Sequence, residues 1–553
     1  MKRYKDVFVK YSRSVSLFQS LCLVLFLAIP LSVAGNKKKG TSPQPKKIEL
    51  IHADKVVYDQ FQNGDMQIFV GNVAFSHEGI LLYCDSANFF QESNSFAAFG
   101  KVRMLQGDTL SLVSKYLYYD GNSQIAQARN EVVLKHVKTT LYTDSLNYDK
   151  MYGVGYFFEG GKLVDGTNTL TSDWGQYETG THKSVFNYNV RLVSKDYVIT
   201  SDTLHYDTDV KLAHLSGPSN IVSGASRIYT ENADFNTVSD QVTLLERSVV
   251  VDGDRQMVGD SIVYDKKTGV SKAFNNIIFN DKTNKNMFLG DYFYYNDSTG
   301  YALAYGNAQV KNYSEQDTLY LHADTFKVYT YNIRTDSVYR ELHGYYHSRS
   351  FREDIQSVAD SLSYNSQKKT LFLYGNPIVW NEKRQALGEE IQVFFNDSTM
   401  DSIRIINQAL TVERLDSVHY NQVAGTEMRI FFENGNIKEN RVIGNVLILY
   451  FPFDSDSIMT GMNYSETSLL RLFMENKKLK RIWTREINGT FYPLALVEKP
   501  KMYLPSFAWF DYMRPKDKLD IFHWQAKTAG TELKKTERRK VPYQNLSEIK
   551  AGK

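Results

Sequence analysis

Tyr119, Tyr148, Tyr177, Tyr206, Phe235 and Tyr264 stand 29 residues apart, five intervals in a row. An acid stands four residues before most of them: Asp144, Asp173, Asp202, Glu231 and Asp260. A tandem repeat of this size cannot bury an apolar face within one unit. Stacked units share a continuous core and build an elongated body. Such a body offers an extended surface or groove more readily than a single catalytic pocket. Length alone, 553 residues, would suggest about three or four domains. The repeat argues instead for one long unit.

Two half-motifs recur. The first has the form Asp-x-Leu-x-Tyr-Asp, as in Asp144 to Asp149, Asp202 to Asp207, Asp260 to Asp265 and, more loosely, Asp360 to Asn365. The second has the form Ala-x-Gly/Asn-x-Val-x-apolar, as in Ala98 to Met104 and Ala128 to Leu134. Both alternate with period two. Leu146 and Tyr148 share one face, and Val102 and Met104 share one face against Lys101 and Arg103. That is the pattern of half-buried strands. Asp120-Gly121-Asn122 after a Tyr supplies turn chemistry. Each unit is therefore read as two strands and two turns, with the recurrent acids at strand starts and turns. The fold class is all-β: an elongated β-jelly roll or β-solenoid of about 13 two-strand units from residue 48 to about 490. The pattern is regular over 48–265 and drifts over 266–490, with larger loops expected around 311–321 and 334–357. Pro and Trp residues break it over 491–526, read as a terminal cap for the last edge. Residues 527–553 are polar and basic and are read as disordered.

The N-terminus has the pattern of a secretory signal. Lys2, Arg3, Lys5, Lys10 and Arg13 precede the apolar run Leu21 to Ile29, and Ser32-Val33-Ala34 precedes Gly35. The stretch Val15 to Val33 is almost long enough for a membrane anchor, but Gln19, Ser20, Pro30 and the small-residue site favour cleavage after residue 34. The basic stretch 35–47 is a linker. The expected location is the periplasm, with an association with the outer membrane left open. Net charge is +3 overall, concentrated in the signal, which gives no case for nucleic-acid binding. Cleavage would leave one cysteine, Cys84, at a strand start, so no internal disulfide is expected. With 42% hydrophobic and 14% aromatic residues, stability must come from burial.

Facing strands put the Leu/Tyr and Val/Met positions inside. If the walls pack, that stripe is a dry core. If they splay, it is an apolar trough suited to acyl chains, each buried CH₂ contributing about 0.8 kcal/mol. The Gly71-Asn72-Val73 and Gly100-Lys101-Val102 strands, the Gln106 to Leu110 link and the run from Ala126 to Asp149 resemble the OstA-like (LptA-like) family. It includes the periplasmic bridge proteins of lipopolysaccharide transport and the N-terminal part of the outer-membrane translocon. The resemblance is strongest over 48–265, and the chain is most similar to the long Bacteroidetes-type members. It implies a β-jelly roll that passes lipid A toward the outer membrane. It also implies edge-strand pairing with jelly-roll domains of inner- and outer-membrane transport components. The chain departs from the family in its length and in lacking the translocon's membrane barrel pattern after residue 490.

The lipid-contact residues singled out are the inner stripe of the first units: Val73, Phe75, Val102, Met104, Leu117, Tyr119, Val132, Leu134, Leu146 and Tyr148. No catalytic residue, metal site or cofactor is expected. His343 and His347 are read as part of an exposed loop, and the recurrent acids lack the Gly-rich turns of calcium-binding β-rolls. There is no nucleophile elbow and no phosphate loop, so an enzyme is not expected. Two other readings are carried: a non-catalytic periplasmic scaffold for envelope machinery, and a polysaccharide binder using outward Tyr ladders.

Overall fold

The computed structural model describes residues 46–58, 66–396, 399–475 and 478–528. The expected signal and nearly all of the linker and tail lie outside them. Forty strands form one hydrogen-bonded, antiparallel array. They make twenty-eight crossings of the molecule, because many crossings are interrupted at their middle and count as two strands. Successive crossings are joined by tight hairpins, such as Met66–His77 to Ile80–Phe90 and Ser95–Gln106 to Leu110–Asp120. At about 4.8 Å per strand the array runs roughly 130 Å. Each unit therefore adds two strands to each wall.

Every crossing is creased at its centre. Met66–His77 pairs with Ile80–Phe90 as Val70↔Ser86 and then Val73↔Cys84, so Gly71 and Asn72 face the single residue Asp85. The same shift recurs along the array, for instance between Phe99 and Val102 and between Arg129 and Val132. The two extra residues are left-handed: Gly71 and Asn72 at φ 82° and 46°, Asn275 and Asn276 at 57° and 49°, Gly306 and Asn307 at 73° and 49°. Consecutive left-handed residues turn the strand sharply, so its two halves lie in different walls. The first wall holds the Tyr-bearing halves and the second holds the Val-x-apolar halves. The Gly or Asn of the sequence motif is thus the crease itself.

The recurrent acids clip the creases. Asp54 N–H donates to the Gly71 carbonyl at 3.0 Å and Asn72 Nδ2 donates to the Asp54 carboxylate at 3.0 Å. Asp173 repeats this with Tyr188 and Asn189, Asp260 with Asn275 and Asn276, and Asp291 with Gly306 and Asn307. The expectation that Asp144, Asp173, Asp202, Glu231 and Asp260 sit at strand starts and turns is therefore corrected. They lie at mid-crossing, where Asp144, Asp173 and Asp260 bond bulge residues whose polar groups would otherwise be orphaned. The Asn276 amide and then Arg247 hold the Asp260 carboxyl below its usual range. At one crease the polarity is exchanged: Lys115 takes the acid's place and donates to Glu131.

Three smaller expectations also change. The loops expected around 311–321 and 334–357 are 313–318 and 332–338, most of 334–357 is strand, and a longer connection lies at 451–460. His343 lies within the strand Tyr339–Tyr345, and His347 is a crease residue whose Nδ1 is 2.8 Å from Asp324. Cys84 is mid-strand and buried, which pushes its thiol up to about 12.

Substituting Gly306 by Ala should separate crease strain from ordinary turn strain. A Cβ there would lie 2.8 Å from Asp291 Cβ with the backbone at φ 73°, whereas Gly107 at φ 57° meets nothing within 4 Å. Gly306→Ala is expected to cost the flanking strands about 2–3 kcal/mol of local opening free energy, read by amide hydrogen exchange, and Gly107→Ala about 1.

Candidate functional site: the apolar interior

The interior runs between the walls along the described array, closely packed in its first half and less completely buried in its second. From Phe69 to Phe326 the inner faces of both walls belong to one core. All ten residues of the expected inner stripe lie in it: Val73, Phe75, Val102, Met104, Leu117, Tyr119, Val132, Leu134, Leu146 and Tyr148, each 0–2% exposed. Period-two alternation alone places them there. Arg103, next to Val102, is exposed. A void of about 10 Å³ lined by Phe75, His77, Leu82, Phe96 and Tyr119 is less than one water's share of volume. At the first end the interior is filled by rings, with Phe75 stacked on Phe96 at 4.6 Å.

The 29-residue tyrosine series closes the mouth of this half. Each ring sits at the hairpin margin of the first wall and reaches a hairpin of the second. Tyr119 OH lies 2.7 Å from His77 Nδ1. Tyr148 donates to Gln106 Oε1 at 2.9 Å. Tyr177 OH lies 3.0 Å from His136 Nδ1. Tyr206 donates to Asp165 Oδ2 at 2.8 Å, and Lys211 holds the same carboxylate. Burial pushes all four phenols up, so they stay protonated and able to donate. At the fifth position the hydroxyl is gone. Phe235 packs against Tyr197 at 4.5 Å instead, and burial pushes the Tyr197 phenol up to about 12. The sequence series was visible, but its role across the mouth was not, because each partner lies 41 or 42 residues away on the other wall.

Beyond residue 350 two apolar clusters lie on opposite faces of the second wall. One continues the interior between the walls, where Leu362, Leu373, Ile391, Ile405, Met428 and Leu470 share a cluster with Val379, Ala386, Val423 and Ile448 of the second wall. The other joins the outer face of the second wall to the C-terminal segment. On the first wall Leu371, Ile403 and Leu472 are only half-buried. The inner stripe of this half is therefore less completely buried than that of the first units, although both walls still pack on it.

The segment after residue 493 explains the second cluster. It contains four short 3₁₀ turns, Leu494–Leu496, Lys499–Met502, Asp511–Met513 and Asp520–Phe522. It was expected to cap the last edge. Instead it folds back over the outer face of the second wall as a strap. Leu504, Phe510 and Met513 pack in one cluster with Ile378, Trp380, Leu387, Val412 and Leu449, and Ile521 is fully buried further along the strap. Two buried glutamines bind it as a sheet neighbour would. Gln422 donates to the Met502 carbonyl and accepts from Leu504 N–H, both at 2.8 Å. Gln385 donates to the Ala508 carbonyl at 2.9 Å and accepts from Phe510 N–H at 2.8 Å. The last strands, Lys478–Arg485 and Asn488–Pro493, are left uncovered, with Ile482, Trp483 and Phe491 exposed. The first strands, Glu49–His52 and Lys55–Tyr58, are exposed throughout.

Among the described residues no group of three or more His, Cys, Asp or Glu is placed to hold a metal. No helix of the described residues is long and apolar enough to cross a membrane.

Fold and interior together define a two-walled β-jelly roll built from a tandem repeat. The family described as OstA-like protein matches residues 45–202, and over that stretch the chain is similar to it. No curated protein matches the chain. Among solved structures, the chain is similar to LptH of Pseudomonas aeruginosa, described as the LptA homologous periplasmic component of the conserved lipopolysaccharide transport device. That likeness has 16% identity and a TM-score of 0.17, over 18% of this chain and 75% of LptH. It is too local to carry an argument.

Burial lowers the His136 pKa, with His182 adding to it; burial also lowers His205 and His322. Each imidazole is neutral in the fold and binds a proton more readily when unfolded. Stability is therefore full above about pH 6.5 and falls as pH drops below it toward the lowered folded values. The thermal midpoint should fall between pH 7 and 5, and His136→Gln, which can still bond Tyr177, should reduce that slope.

Proposed function

We propose that this protein is a periplasmic carrier of lipopolysaccharide, holding lipid A acyl chains along its apolar interior and passing them toward the outer membrane. The observation that carries the reading is an apolar interior between two walls that runs the length of the array, in a chain whose residues 45–202 match the OstA-like family. Transfer along such a body needs no chemistry. It needs a continuous apolar path and walls that can part. In the first half, the path opens only if the tyrosine clasp releases. Each clasp bond contributes about 1 kcal/mol net, and each acyl CH₂ moved from water to the interior returns about 0.8. A few methylenes therefore offset one clasp bond, although separating the packed walls costs more. The exposed strands at both ends offer unpaired backbone edges, which would accept the jelly-roll domains of inner- and outer-membrane partners.

The dry packing of the first half favours a second reading, a rigid periplasmic scaffold that works through its edges. Site-specific photocrosslinking in cells separates the two. One probe replaces inward Val102 and another replaces outward Arg103. A third replaces Ile403, half-buried on the inner face of the first wall in the second half. Lipopolysaccharide adducts at 102 and 403 but not at 103 are expected for the carrier. Adducts at 403 alone would confine the path to the second half. Adducts at none, from folded and exported protein, would leave the scaffold.

A further inference from the structure

The outer face of the first wall carries a row of arginines near the last edge. Four neighbouring strands supply it: Met400–Arg414, Tyr420–Glu433, Asn436–Tyr450 and Gly461–Glu475. Ile405, Met428, Val442 and Leu470 form one cross-strand row and point inward, each 0–2% exposed. The adjacent row is Arg404, Arg429, Arg441 and Arg471, each directly opposite the next, and alternation turns all four outward. The row ends on Trp483 of the last strand, which is exposed.

Like charges facing each other across a ladder destabilise it. Two glutamates on the same face relieve part of the repulsion. Glu427 accepts from Arg404 at 2.7 and 3.2 Å and also from Arg429. Glu439 accepts from Arg471 at 2.7 and 3.2 Å and from Arg441 at 3.1 Å. Each acid serves two guanidiniums, so the row stays net positive. Nη1 and Nη2 of Arg429 and Arg441 make no hydrogen bond with the described residues. The four arginine side chains are 31–41% exposed, which leaves those donors within reach of a ligand.

Rings lie among the cations. Arg441 sits over Phe431 at 5.3 Å, Arg471 over Phe473 at 4.9 Å, and the exposed Arg481 over Phe473 at 4.2 Å. Toward the first end the same face continues as rings, with Tyr301 against Tyr329 at 5.4 Å and Tyr329 against His343 at 5.6 Å. Outward rings are what the polysaccharide reading requires. The cations lie in one line across the strands, about 4.8 Å apart. A line fits a linear polyanion. An anionic lipid surface asks instead for apolar side chains that protrude, and here Phe431 and Phe473 lie half-buried beneath guanidiniums. The two-bond contact of Arg404 with Glu427 shows how a carboxylate seats on this row.

We propose that this outer face is a second binding site and that its ligand is a linear, carboxylated polysaccharide. Arg404, Arg429, Arg441 and Arg471 hold successive carboxylates, and Trp483 takes the apolar face of a sugar ring. The site points away from the interior, so it stands independently of the carrier reading.

The test uses the full mature chain with oligogalacturonate and with its fully methyl-esterified form, which keeps the sugar chain and loses the charge. Calorimetry gives the affinities. Oligogalacturonate should bind about tenfold or more tightly than the ester, and the difference should shrink as salt rises. Arg429→Gln and Arg441→Gln should each weaken its binding about tenfold. Arg103→Gln, which removes the same charge from the exposed face of the second wall, should leave it unchanged. Glu427→Gln should strengthen it several-fold by freeing Arg404 and Arg429. Equal binding of acid and ester, or equal weakening by Arg103→Gln, would overturn the assignment. So would binding to vesicles of phosphatidylglycerol and phosphatidylcholine with none to oligogalacturonate, which would make the face a membrane contact. The comparison of acid with ester on the wild type decides the matter even if a row variant fails to fold.

Discussion

The left-handed crease is the constraint on which the architecture depends. Two consecutive residues at positive φ cost about 1 kcal/mol each when neither is Gly. The acid opposite returns two hydrogen bonds of about 1 kcal/mol each, so a clipped crease is close to neutral. Neutral creases can recur at every crossing without a stability debt that grows with length. Because each crease takes two residues against one, it also pins register, since a slip of one residue would move the acid off its partner and turn the apolar face outward. Asp173, Asp260 and Asp291 thus do for register what the inner Leu and Tyr side chains do for packing.

Much of the fold was legible because its periods are local. Alternation of Leu146 with Asn147 and of Val102 with Arg103 identified strands and their inner face from neighbours alone, and burial of all ten stripe residues follows from it. What was not legible depends on pairing between distant positions. The acids read as turn residues because Asp is common in turns. Seeing them as clips requires knowing that Asn276 lies opposite Asp260 across the ladder. The tyrosines read as ordinary core positions because their partners, His77, Gln106, His136 and Asp165, sit in other units and on the other wall.

The C-terminal segment failed as a sequence inference for a different reason. Its Pro and Trp residues marked the end of the repeat correctly, and an end of an open sheet asks for a cap. But the outer face of the second wall, with Ile378, Trp380, Leu387, Val412 and Leu449, offers far more apolar area than one terminal strand does. Leu504, Phe510 and Met513 follow that larger area, and Gln385 and Gln422 replace the ladder that the strap cannot form. The edge is left open as a consequence, with Ile482, Trp483 and Phe491 in solvent.

Two devices keep apolar surface out of water. Up to Tyr206 the repeat supplies a hydroxyl at every mouth position, and the walls meet. At Phe235 one unit lacks it and packs on Tyr197 instead, before Tyr264 restores the series. A chain whose interior opened throughout would expose a long apolar face and aggregate. The observed arrangement packs both walls on one interior and covers the apolar outer face of the second wall with the chain's own strap. The strap is anchored at Arg349, whose buried guanidinium donates to Asp520.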